Sequence, residues 1–471
     1  MVLASIYRPA IAMAFYGGGS GGTSTCANSG CTTAYAVPLP VPQPLKPTAT
    51  DATTDYYTIT EQQANLSVIP GKTTPMWTYN GTWPGPLIRA TSGRQVKVHV
   101  VNNLATGTTL HMHGAHVAAS SDGGPVDVVA AGSTRDYVYP NNQSARTQWF
   151  HDHIKDLTGK DVYMGLEGLY EITDSQEQAL HLPSGAYDVP LVLQDRRFNG
   201  DGSLAYSPTS SDVRDGFLGD TFFVNGAAQP YFKVEPRKYR FRILNGSNAR
   251  YYNLSLSNGQ AMTQIANEAG LLSRPYSMST VSLGPAERAE VVVDFSKVAP
   301  GTSVTLSNGS GWNSSGGGLM RFDVGTATST DSSVVPPTMR PFTPIPASAV
   351  TVRRSFAVEQ RNGMWTFNGQ MYDPNRIDAN VALGATEEWT FDNRSGQDHP
   401  IHLHDINFQV VGESWRTNSG PDTEWKETIN VPSWSSVTIR VTFPDFSGVY
   451  MFHCHILEHE DNMLMGQFKV G

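Results

Sequence analysis

SVTIRVTF, residues 436–443, sets an apolar side chain at every second position, and RAEVVVDF, residues 288–295, comes close to the same rhythm. Successive side chains of a strand point to opposite faces, so such a stretch puts one face on a core and the other in water. That is the pattern of antiparallel sheets packed as sandwiches. Around these strands the chain repeats one device three times: an Asn-Gly turn, an alternating strand, and an Asn that closes it. The copies are Asn80-Gly81 with VKVHVVNN (96–103), Asn225-Gly226 with YRFRILN (239–245) and Asn368-Gly369 with EEWTFDN (387–393). The expectation is an all-β chain of three related Greek-key β-sandwich domains, at 51–178, 179–345 and 346–471, behind an N-terminal arm at 1–50. With 471 residues the chain is too long for one core, since single cores stop growing near roughly 250–300 residues.

The arm reads as GGGSGGTST followed by PLPVPQPLKP, a flexible stretch and then a stiff one. Composition excludes more than it identifies. A formal charge of -9 offers no basic face to a phosphate backbone, and no apolar run reaches the roughly 18 residues of a spanning helix. Nucleic-acid and membrane-spanning roles are therefore disfavoured. The three cysteines, Cys26, Cys31 and Cys454, make no disulfide framework. Cys26 and Cys31 read equally as one short bridge or as two unused thiols. The first 16 residues carry Arg8 and an apolar stretch but neither a basic start nor twin arginines. The export route stays open.

Histidine carries the chemistry. Ten of the 13 histidines fall in four clusters: His111/His113, His151/His153, His399/His402/His404 and His453/His455/His459. His99, His116 and His181 read as ordinary surface or core residues. In a strand, residues i and i+2 share a face, so each His-x-His is expected to act as a two-pronged chelate. Four such pairs offer eight imidazoles, more than one zinc accepts, so several metals are expected to share the site. Cys454 narrows the choice. Lying between His453 and His455, its sulfur is expected to leave the opposite face of the strand. With His459 and His399 it completes the His₂Cys set of a blue electron-transfer copper. WFHDH (149–153) is the counterpart of FHCH (452–455), with Asp152 in the place of Cys454, so only the third copy can hold that copper. In the middle copy RYYNLSL (250–256) supplies no ligands, and its expected role is a spacer that shapes the substrate mouth.

In chain order, H-x-H-G, H-x-H, H-x-x-H-x-H and H-C-H-x-x-x-H resemble the multicopper oxidases, from about Leu39 to the C-terminus. LPVPQPLKP, HMHGAHVAASSDG, HDH followed by VYMGLEGLY, VEPRKYRFRILNGSNARYYNLSL and HPIHLH look like the bacterial spore-coat laccase and bilirubin oxidase branch. The resemblance implies three cupredoxin-like domains and four copper ions. By position it gives His399, Cys454 and His459 to the type 1 copper, and His111 and His402 to the type 2 copper. His113, His151, His153, His404, His453 and His455 go to a type 3 pair, with the three-copper cluster between the first and third domains. Aligning MGQF (465–468) places Leu464 where this branch has a weak axial methionine, with Met463 and Met465 as rivals. Losing a soft axial donor is expected to raise the type 1 potential.

The implied activity is one-electron oxidation of phenols, aromatic amines or bilirubin-like pigments at the edge of His459 or His399, coupled to four-electron reduction of dioxygen to water. Asp122 and Glu460, where the family has acids, are the expected proton suppliers. A small-molecule reductant and dioxygen are the expected partners, and the chain is expected to work as a monomer. A cuprous-ion oxidase is the first alternative, although the 14 methionines are dispersed. A non-enzymatic copper-binding protein and a two-domain nitrite reductase stand behind it.

Overall fold

The computed structural model describes residues 32–417 and 419–471, so Cys26, Cys31 and the Gly/Ser-rich part of the arm lie outside the described residues. Strands form three pairs of sheets. In the first pair a five-stranded sheet built on Thr54–Leu66, Gln95–Asn102 and Thr134–Tyr139 faces a four-stranded one of Leu87–Thr91, Glu167–Thr173, Arg146–His151 and His111–His113. The second pair sets a seven-stranded sheet through Asp188–Arg196, Lys238–Asn245 and Arg288–Asp294 against a five-stranded one through Ser303–Asn308 and Tyr252–Leu256. In the third, a six-stranded sheet through Val350–Arg361, Thr386–Asn393 and Ser436–Thr442 faces a five-stranded one through Met465–Val470, Gly448–Cys454, His399–Leu403 and Thr428–Val431. Each pair encloses its own aliphatic and aromatic core.

The threefold device is the same in atomic detail each time. Asn80, Asn225 and Asn368 take φ of 55°, 52° and 53°, and the following glycines 75°, 78° and 73°, the two positive values that a type I′ turn demands. Their side-chain Oδ1 atoms accept from the backbone N–H of Thr60, Val192 and Ala357, each at 2.7 Å, locking the turn onto the neighbouring strand. The closing residues Asn102, Asn245 and Asn393 each donate their amide to two or more backbone carbonyls farther along the chain. These bonds satisfy buried backbone oxygens where the strand gives out.

Three expectations need correcting. The sheets are not purely antiparallel: each of the six holds one parallel pairing, such as Thr54–Leu66 with Gln95–Asn102. Crossing to the opposite sheet and back lets a strand return alongside an earlier one in the same direction. Secondly, Ser436–Thr442 alternates as expected, but Arg288–Asp294 has no water face, with only its last residue less than buried. Its outer side presses on the first sandwich, where Thr147 Oγ1 donates to Glu290 at 2.9 Å. Thirdly, the described part of the arm is not free of the cores. Leu39 joins the second core, and the stretch bridges to Tyr231 and Leu87, because an extended Pro-rich chain leaves backbone groups that strand edges satisfy.

Candidate metal centres

Two strand pairs deliver the histidines. His111 stands opposite His151 in the first sandwich, and His402 opposite His453 in the third. Only His111–His113 lies wholly within a strand. The strands ending at His151, Leu403 and Cys454 stop short of His153, His404 and His455. The turn after His151 is made by side chains, with Thr109 Oγ1 accepting from the His153 N–H at 2.8 Å.

The chelate reading holds for one pair only. The members of His151/His153, His402/His404 and His453/His455 fall in different groups, whereas His111 and His113 share one with His402. His113, His151 and His455 converge in one group, and His153, His404 and His453 in another, each drawing on both sandwiches. His111 and His402 stand together beside them.

Tautomers follow from the hydrogen bonds. A backbone carbonyl can only accept, so the ring nitrogen facing it carries the proton and the other offers a lone pair. Nδ1 of His111, His151 and His402 donates to the carbonyls of Asp122, Asp152 and Glu427 at 2.7, 2.8 and 3.0 Å. Nε2 of all three is buried without a protein partner, as are Nδ1 of His113 and both nitrogens of His455. His113 is turned the other way, its Nε2 held 3.0 Å from Glu427 Oε1. Nε2 of His404 lies 3.2 Å from that of His153 and 3.1 Å from that of His453. Burial holds His111, His113, His402, His404 and His455 well below the usual imidazole range, so they stand neutral, as ligands must. Buried lone pairs aimed at common points with nothing to accept them fit a cluster of metal cations.

Both expected proton suppliers are at this cluster and buried. Glu460 lies 3.0 Å from His153 Nδ1 and 2.9 Å from His453 Nδ1, one carboxylate joining the two sandwiches. Burial works to raise its pKa, but the His153 and His453 charges outweigh it and hold the carboxyl well below its usual range. Asp122 Oδ2 lies 2.8 Å from His404 Nδ1, and burial pushes this carboxyl up to about 7.

Cys454 forms a separate group with His399 and His459. Its Sγ is 3.4 Å from His399 Nδ1 and 3.6 Å from His459 Nδ1. The opposite nitrogens are occupied: His399 Nε2 meets Ser395 Oγ, and His459 Nε2 donates to the Arg214 carbonyl, both at 2.9 Å. Burial drives the thiol far above its usual range, so a thiolate persists there only against a cation. Leu464 belongs to the same buried cluster as Cys454, whereas Met463 and Met465 pack with Tyr372 and Met451 in another. The imidazole edge expected to face substrate is covered. His399 and His459 are fully buried, beneath the short helix Ser210–Asp215 of the second unit and Trp365, whose ring centroid is 4.7 and 4.6 Å from theirs.

Sequence reasoning missed Trp365, Glu427 and Arg288. Glu427 accepts from both His113 and the buried Arg288, so the second sandwich, though without ligands, holds a ligand's partner. Arg288 opens the very strand whose alternation suggests a water face, and an arginine at a position that packing covers is its only sequence signal.

Family models described as multicopper oxidase match residues 60–177, 160–313 and 344–471. A bilirubin oxidase from Albifimbria verrucaria is 35% identical, covering 92% of this chain and 81% of that protein. A laccase from Bacillus subtilis (strain 168) is 34% identical over 91% of this chain and 96% of its own length. The solved laccase of Pediococcus acidilactici Pa5930 superposes with a TM-score of 0.86 at 32% identity, covering 95% of this chain and 99% of that one.

Proposed function

The chain belongs to the multicopper oxidase family, and from that premise we propose that it is a laccase-type oxidase of phenols, aromatic amines or bilirubin-like molecules that uses dioxygen as acceptor. Copper, when bound, supplies the one-electron redox chemistry and the reduction of dioxygen to water. Four ions are proposed: one on Cys454, His399 and His459, one on His111 and His402, and two on the groups of His113, His151, His455 and of His153, His404, His453. The observation that carries this reading is the set of buried ring nitrogens without protein partners, those of His111, His151 and His402 set by a hydrogen bond on the other side of the ring. The domain limits 51–178, 179–345 and 346–471 are kept as part of the proposal, as is a monomer.

The chain's own residues do the rest. Cys454 stands between His453 and His455, so covalent bonds join the thiol group to two imidazole groups. Asp122 holds a proton beside His404, and the ionised Glu460 accepts from Nδ1 of His153 and His453, where it can take up a proton and pass it on, both groups being buried away from solvent. The substrate docks on the surface above Ser210–Asp215, and the Arg214 carbonyl on His459 Nε2 is the inward contact. That helix carries Asp212, Arg214 and Asp215 and no methionine, which favours organic reductants over cuprous ion. Placement at a cell or spore surface is proposed from the resemblance alone.

The test is an absorption spectrum and a copper count on protein loaded in air. An intense thiolate-to-copper band, a near-ultraviolet shoulder and four coppers per chain are expected. Copper bound without colour would remove Cys454 from the site and leave a storage protein.

A further inference from the structure

Of the seven arginines buried among the described residues, Arg196, Arg237, Arg240, Arg242, Arg250 and Arg288 all pair with a carboxylate. Arg146 is the exception. It is 6% exposed and forms no ion pair with any described carboxylate. Its guanidinium donates only to neutral oxygens: the Ser144 carbonyl at 3.0 Å, Ser144 Oγ at 3.2 Å and Asn407 Oδ1 at 2.7 Å. An unpaired buried cation is costly and calls for an anion.

The space for one is present. Arg146 lines a cavity of about 390 Å³ where the three sandwiches meet. Arg340 lines it too, its Nε buried and without a partner, although its other side pairs with Asp174 at 2.6 Å. Two guanidinium groups on one small cavity repel each other unless something negative lies between them. The carboxylates on the wall are otherwise engaged. Glu424 accepts from the Ser273 N–H and hydroxyl at 2.7 and 2.6 Å, and Asp405 accepts from the Val117 N–H at 3.0 Å and faces His116 at 2.9 Å. Leu271, Leu272, Phe342 and Trp425 give the same cavity an apolar wall, with the Phe342 and Trp425 rings edge to face at 6.2 Å.

We propose that this junction cavity binds a small organic carboxylate with a flat apolar body, its carboxylate between Arg146 and Arg340 and its body against Phe342 and Trp425. Guanidinium groups take carboxylates in charge-assisted, two-pronged bonds, and the remaining walls suit a ring. The site is separate from the imidazole and thiol groups. Because its walls come from all three sandwiches, a ligand there ties them together and raises the melting temperature by mass action.

The experiment is calorimetric titration of the copper-loaded, full-length protein with benzoate, benzamide and inorganic phosphate, alongside Arg146→Met and Arg340→Gln. Benzoate is expected to bind one per chain, benzamide not at all, and each substitution to weaken benzoate by about tenfold or more, the worth of a charge-assisted hydrogen bond. Should Arg146→Met fold poorly, Arg340→Gln and the benzamide comparison still decide. Phosphate binding in place of benzoate would make the cavity an inorganic-anion site and overturn the proposal. So would benzoate binding that neither substitution alters, or an absence of benzoate binding.

Discussion

Glu460 meets two imidazoles from different sandwiches with its two oxygens, so its substitution separates proton supply from electron uptake. In Glu460→Gln an amide donor faces one of two nitrogens that had been donating, and the carboxylate that can take up and pass on a proton is gone. Oxygen reduction is expected to slow by about a hundredfold, the usual worth of a placed proton-transfer group. Anaerobic bleaching of the blue band by substrate stays as fast, and stopped-flow measurement of both half-reactions shows the split. Unchanged turnover across pH would take Glu460 out of the proton path. Leu464 is the second residue of interest, since its side chain shares a core with Cys454 and offers no lone pair. Leu464→Met is expected to lower the type 1 potential in a spectroelectrochemical titration, and each drop of about 59 mV is tenfold in a one-electron equilibrium. If the potential stays where it was, Met463 or Met465 is already the axial donor.

Among the elements, the turns were legible in the sequence because their chemistry is local. An Asn-Gly pair takes two positive φ values whatever surrounds it, and three copies take them alike. The histidine clusters were legible as groups for the same reason, but the division of His151/His153, His402/His404 and His453/His455 between groups was not, because it depends on where a strand stops and what turns it. The first sandwich also holds a place matching the thiol site. Three residues before the paired His111 and His402 stand Thr108 and His399, and Asp152 replaces Cys454. Acids fill that place: Thr108 donates to Glu61 on Thr54–Leu66, and Asp152 accepts from the Thr109 N–H at 2.7 Å. Burial pushes Glu61 up to about 8. A carboxyl whose folded pKa is raised holds its proton more tightly when folded, so its contribution is complete below its ordinary pKa and is lost as pH climbs through the raised one. Glu61→Gln removes that loss, and its stability relative to the parent should rise from about pH 5 to about pH 9. The gain is about 1.4 kcal/mol for every tenfold by which folding tightens the carboxyl's hold on its proton. Parallel denaturation midpoints at both pH values would show that Glu61 titrates normally.

At the scale of the whole molecule, the second sandwich is more than the spacer its missing ligands suggested. Arg240, Arg242, Arg288 and Glu290 alternate along two neighbouring strands as solvent-facing residues would, yet all four are buried. Nothing local distinguishes a charge that meets water from one that meets another sandwich, so this part of the site was not legible in the sequence. Its consequence is a chain of contacts through all three units: Arg288 in the second holds Glu427 in the third, which holds His113 in the first. Arg288→Met leaves Glu427 buried and unpaired, which destabilises by about 3–5 kcal/mol, and frees it to turn from His113. Copper should be lost to a chelator at about ten- to a hundredfold lower concentration, the usual cost of removing a ligand's supporting partner. Adding Glu427→Gln removes the stranded charge and should recover much of the stability. It should not recover copper retention, since His113 Nε2 then lacks its carboxylate. If the double variant regains both together, the chain from Arg288 serves folding alone, and the second sandwich takes no part in holding the ligands.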